Sequence, residues 1–169
     1  MDITMVILRL IHIFGGAYWF GSGMLAVFVV EPFAKTVGAE GERFVGRLLS
    51  QSKYSPYMGI SAVLTTLSGV LMYWRDSGGL QAAWIATNAG IALTIGGAAG
   101  IGAWLVGMLV HAPASARLAA IAKEMGNGAP TPAQIEQIRA VQGKLKQGNA
   151  WETVLMVVTL IGMAVARYV

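Results

Sequence analysis

Residues 82–110 read AAWIATNAGIALTIGGAAGIGAWLVGMLV, and none of them is charged. A helix rises ~1.5 Å per residue, so about 20 mostly apolar residues cross the hydrocarbon layer of a bilayer. A helix that is apolar all round has no face to show to water. Three further stretches share this character. One runs from Thr4 to Val30 and ends at Glu31-Pro32; another runs from Pro56 to Trp74 and ends at Arg75-Asp76; the last runs from Trp151 to Tyr168. The fold class that follows is all-α: a polytopic membrane four-helix bundle, one domain over residues 1–169, with spans at about 4–30, 56–74, 82–110 and 151–168. Trp74, Trp84, Trp151, Tyr54, Tyr57 and Tyr168 fall near the expected span ends, where amphipathic rings favour the interface.

Bulk composition agrees. The chain is 56% hydrophobic and only 12% charged, with a mean hydropathy of +0.62. A soluble domain carries about a quarter charged residues, twice what is available here to cover a water-facing surface. There is no cysteine, which excludes disulfides, thiolate metal sites and thiol catalysis. The first apolar stretch is expected to be too long for a cleaved signal peptide, and no small-x-small site directly follows Val30.

The cations set an orientation. Lys35, Arg43, Arg47 and Lys53 lie between the first and second spans, and Arg117, Lys123, Arg139, Lys144 and Lys146 between the third and fourth. Only Arg9, Arg75 and Arg167 lie at the other side. Loops rich in Lys and Arg stay in the cytoplasm, so both termini are expected outside, in a bacterial-type inner (plasma) membrane. The net charge of +4 is thereby read as topology, and no nucleic-acid partner is expected.

The second connector, about residues 112–150, has a pattern of its own. Leu118, Ala119, Ala122 and Met125 recur at helical spacing before the breaker Gly126-Asn127-Gly128. Thr131-Pro132-Ala133-Gln134 has the form of a capping box with proline at the first helical position. Ile135, Ile138, Val141 and Leu145 then repeat at helical spacing. Spans three and four are therefore expected to extend as a cytoplasmic helical hairpin, kinked at Pro113, that caps the bundle, lies on anionic lipid or docks a partner. Glycine is abundant inside the spans, with Gly15, Gly16, Gly21 and Gly23 in the first and Gly96, Gly97, Gly100, Gly102 and Gly107 in the third. Small residues let helices approach closely in lipid. They serve packing within the bundle, a homo-oligomer seam or a groove for a flat cofactor, and sequence does not choose.

Ionisable groups inside a membrane are costly to bury and so are functional candidates. Arg9 and His12 share a face of the first span. His12 lies about 12 Å from the outer end of that helix. At comparable depth come Asn88 on the third span, Thr65 and Ser68 on the second and Thr159 on the fourth, with Tyr73 and Tyr18 above and below. This is a candidate polar ring around His12, set against the plainer expectation that each hydroxyl bonds its own helix and that Asn88 or a water satisfies His12. His111, just before Pro113, lies ~25–30 Å from the depth of His12, so the two histidines cannot share one haem or metal ion. It is expected as an interfacial residue at a helix C-terminus. Met5, Met72 and Met163 fall near the outer ends of their spans; with His12 they offer a His/Met set for Cu(I) or an axial pair for haem. Glu31 and Glu152 are expected at span ends, leaving no paired carboxylate at mid-depth. Phosphate loops, zinc-type clusters and Ser-His-Asp sets are missing, which argues against hydrolysis and phosphoryl transfer.

The pattern His12, Trp19, Gly21, followed after the span by Glu31-Pro32-Phe33, resembles the first helix of CopD-like membrane proteins. That group includes the copper-resistance D domain and the HemJ-type protoporphyrinogen oxidases. Residues 61–74, SAVLTTLSGVLMYW, resemble their second helix, and Trp84 and Asn149 stand where the group often has such residues. The resemblance implies a four-helix core with a histidine in the first helix and a haem-binding or copper-handling role for His12. The chain departs from the HemJ type: it reads Val30-Glu31-Pro32-Phe33 in place of a Leu-Pro-Arg-rich segment, and Trp84-Ile85-Ala86-Thr87-Asn88 where a lysine opens the third helix. Of the group's functional residues, only His12 carries over.

Two functions remain. The first is a haem b or copper site in the outer half, held by His12 with Arg9, Asn88, Met72 and Met163 as companions, for redox chemistry or metal handling. The second is an accessory subunit of a larger membrane complex with no cofactor. A transporter would have to act as an oligomer, since the chain is short and shows no clear internal repeat.

Overall fold

In the computed structural model every regular element among the described residues is helical. The structure describes residues 2–126, 128 and 130–169, without the side chains of Glu42, Ser50 and Gln51. Four helices are long and apolar enough to cross a membrane: α1 (Ile3–Val37), α3 (Tyr54–Asp76), α5 (Asn88–Met125) and α6 (Pro132–Val165). Between them lie α2 (Ala39–Gln51) and a single turn, α4 (Ala82–Ile85).

The helices outrun the apolar stretches. α1 continues past Glu31 to Val37, and Gly38, at φ 76°, then turns the chain into α2. α6 starts at Pro132 and runs unbroken to Val165, nineteen residues before Trp151 and three short of Tyr168. Its start is built as the spacing predicts: Thr131 Oγ1 accepts from Gln134 N, and Gln134 Oε1 accepts from Thr131 N at 3.0 Å. Of the expected breaker 126–128, Asn127 lies outside the described residues. The third apolar stretch divides: Trp84 belongs to α4, and Thr87 caps a fresh helix by accepting from Gly90 N at 3.0 Å.

α1 packs antiparallel along α3, and α5 antiparallel along α6. The basic connectors lie at one end, called here the basic end, and the termini at the other, where Arg75 pairs with Asp2. Each hairpin closes where a missing side chain lets backbones meet. A Cβ on Gly15 would lie 3.3 Å from Ser61 O, and one on Gly162 would lie 2.8 Å from Ala92 O and Gly96 Cα. The hairpins join along α3 and α5 and through a core of Trp19, Ala62, Ala103 and Met156, one residue from each long helix.

The hairpins also correspond in sequence position. The glycine pairs Gly15-Gly16 and Gly96-Gly97, the π-helical turns Ala26–Val30 and Gly107–His111, and the prolines Pro32 and Pro113 stand at one offset (15 to 96, 26 to 107, 32 to 113). Apolar substitution elsewhere hides this correspondence from a reading of sequence alone. Its physical basis is shared. Proline has no N–H for the carbonyl four residues earlier, here Phe28 and Leu109. A π-turn just ahead widens the helix and re-pairs its neighbours, with Glu31 N donating to Ala26 O and Ala112 N to Gly107 O.

Candidate functional site

His12 is half-buried on α1 against α3. Its Nδ1 lies 2.8 Å from the main-chain oxygen of Thr65. A carbonyl only accepts, so Nδ1 carries the proton and donates. In the neutral ring, Nε2 then holds the lone pair, and among the described residues no hydrogen-bond partner reaches it. The ring fits because α3 has no side chain at Gly69: a Cβ there would lie 2.8 Å from His12 Cε1. Ser68 Oγ is at 3.5 Å from Nδ1 and spends its own proton on Leu64 O at 2.6 Å.

The companions named from sequence divide between the hairpins. Arg9 is exposed, one turn before His12 on the same face. Met72 is half-buried, one turn past Gly69 on α3. Asn88 is exposed in the first turn of α5, and Met163 is half-buried beside Gly162, which packs on α5. The partner that orients His12 is the Thr65 carbonyl. The other hydroxyls mostly satisfy their own helices: Thr159 donates to Leu155 O at 2.8 Å and Thr94 to Gly90 O at 2.7 Å. Since the Thr94 proton is taken, the phenol of Tyr73 is the donor in their contact. Tyr73 also meets Trp84 edge-on, with ring centroids 5.3 Å apart. Among the described residues Thr65 Oγ1 is enclosed without a partner, pressed against Gly15.

A second polar cluster forms towards the basic end. Asn149 and Glu152 are three residues apart and share a face of α6. Asn149 Nδ2 donates to Glu31 Oε1 at 3.0 Å, and His111 Nδ1 lies 2.9 Å from Glu152 Oε2. Glu31 and His111 stand at the close of the two π-turns, so α6 is held from both sides by the distorted turns of α1 and α5. The Tyr54 hydroxyl donates to Ser22 O at 3.0 Å within electrostatic reach of Glu31 and Glu152. His111 is thus inside a continuing helix and paired, where sequence placed it at a helix end. Among the described residues its Nε2 is enclosed without a partner against Gly148, where a Cβ would lie 2.9 Å away. Glu31 and Glu152 were legible only as span ends; the signal that would have grouped them is the Pro-marked break shared by Glu31 and His111. Among the described residues, no group of three or more His, Asp or Glu side chains is arranged to hold a metal ion.

Fold and site together define a class: an all-helical protein with four helices long and apolar enough to cross a membrane, and one histidine oriented through its Nδ1 between the first two. No family model matches the chain, and no match is found among curated proteins or solved structures.

Proposed function

We propose that this chain is a four-span integral membrane protein of the plasma membrane, with its termini outside and the α5–α6 extension in the cytoplasm, and that His12 holds haem b or copper for redox chemistry or metal handling. The observation that carries the reading is the Nδ1–H donated to Thr65 O. Histidine ligands are commonly fixed by such a bond, which sets the tautomer, orients the ring and raises the basicity of Nε2. A single imidazole from His12 would hold haem, which itself carries most of the ligands to its iron; together with a thioether from Met72 it would hold Cu(I). When bound, either group would supply one-electron chemistry. The chain's own part is to orient the ring through Thr65, to seat it against Gly69 and to place Arg9 one turn away, where a cation can meet an anionic substituent.

The accessory-subunit reading is favoured by one observation: among the described residues, Gly21, Gly59, Gly97 and Gly107 lie in the long helices with no atom of another element within 4 Å of the position of a Cβ. Such bare positions suit close approach by another helix.

Absorption spectroscopy and metal analysis of detergent-purified protein, expressed with haem and copper supplied, test the first reading. A Soret band or stoichiometric copper is expected. A colourless, metal-free protein that copurifies with other subunits would replace it with the second.

A further inference from the structure

A groove of about 490 Å³ runs between α5 and α6 at the basic end, well away from His12. Its floor is apolar, built by Val106, Leu109 and Val110 of α5 and Trp151 of α6. It is open on one side: Leu109 is 72% and Trp151 62% exposed. Further along, the same groove is lined by Arg117 and Lys144, one from each helix, and among the described residues no acidic side chain lines it. Arg117 is steadied by donating to the neutral Gln137 at 2.6 Å, and among the described residues neither cation has an ion-pair partner. The groove therefore changes from apolar to cationic along its length. From Val106 to Arg117 the helix rises roughly 16 Å, the scale of a lipid's upper chain and headgroup.

We propose that this groove holds one anionic phospholipid, its acyl chain along Val106, Leu109, Val110 and Trp151 and its phosphate between Arg117 and Lys144. The apolar floor belongs to the uncharged part of two candidate spans, which sets the depth of the acyl chain; the cations stand beyond it, on the side where headgroups lie. A free phosphate would use the cations and leave the apolar floor without a role. A zwitterionic lipid would set its own ammonium against them.

The test uses the full chain in detergent. Phosphatidylglycerol, phosphatidylcholine and inorganic phosphate are each added, and thermal unfolding and native-mass-spectrometry retention are followed. Phosphatidylglycerol is expected to raise the melting temperature and remain bound, while the other two do neither. Arg117→Ala/Lys144→Ala should weaken phosphatidylglycerol binding by tenfold or more, since each cation near a headgroup contributes about 1 kcal/mol. Arg117→Lys/Lys144→Arg should retain it. Arg139→Ala/Lys146→Ala removes the same charge elsewhere in this connector and should also retain it. Equal loss in both alanine pairs would show diffuse attraction and overturn the proposal. So would equal binding of phosphatidylcholine, or stabilisation by phosphate alone.

Discussion

Asn149 and Glu31 are 118 residues apart in the chain, yet the amide of one donates to the carboxylate of the other at 3.0 Å. The bond ties the first long helix to the last, whose other joint is packing around Trp19 and Met156. Both residues are half-buried, so losing the donor leaves the carboxylate oxygen short of a partner. Asn149→Ala should cost about 1–2 kcal/mol by thermal or denaturant unfolding in detergent. Glu31→Gln, which keeps an oxygen acceptor, should cost less.

Gly148 decides whether His111 can reach Glu152. A methyl group there would come within 2.9 Å of both His111 Nε2 and Val110 Cγ1. Gly148→Ala should push the ring away from Glu152 and destabilise the protein by about 1–3 kcal/mol, as overpacking does. Gly143→Ala, on the same helix with open space at its Cβ, should be neutral or mildly stabilising. Equal effects at the two positions would contradict the packing described.

The glycines of α5 and α6 make a sharper comparison. At Gly162 a Cβ would strike the backbone of α5, with Gly96 Cα at 2.8 Å, whereas nothing lies near a Cβ on Gly97. Backbone cannot swing aside as a side chain can. Gly162→Ala is expected to lower the melting temperature markedly and Gly97→Ala to leave it within a degree or two. If Gly97→Ala instead releases copurifying subunits while the chain itself stays folded, the accessory-subunit reading gains its strongest support.

The proposed orientation is checked by reporter fusion. A periplasm-active phosphatase fused after Val169 should be active, and one inserted at Gly128, between α5 and α6, inactive. The reverse pattern would invert every statement about which side the basic end faces.

Much of the fold was legible because hydropathy is a one-dimensional signal. Residues 88–110 announce a helix long and apolar enough to cross a membrane without any knowledge of their neighbours, although the break at Ala86-Thr87 within the stretch 82–110 went unread, and the Thr131–Gln134 cap announces where α6 begins. Rotational phase was not legible. Whether Glu31 and His111 face α6 depends on two π-turns, and a reading based on 3.6 residues per turn misplaces everything beyond them. His12 was singled out by type and depth, but the carbonyl it bonds was not. Sequence offered Asn88, a side chain; the structure uses the carbonyl of Thr65, and main-chain acceptors carry no residue signature. Gly69, whose bareness admits the ring, looked like one glycine among many.

Whether His12 holds a cofactor is decided by comparing two histidine variants in one experiment. Wild type, His12→Ala and His111→Ala are expressed with haem and copper supplied, purified identically, and measured by visible absorption and metal content per chain. A Soret band or bound copper is expected in wild type, lost in His12→Ala and retained in His111→Ala. Retention in His12→Ala, or absence from all three folded proteins, would contradict a cofactor role for His12.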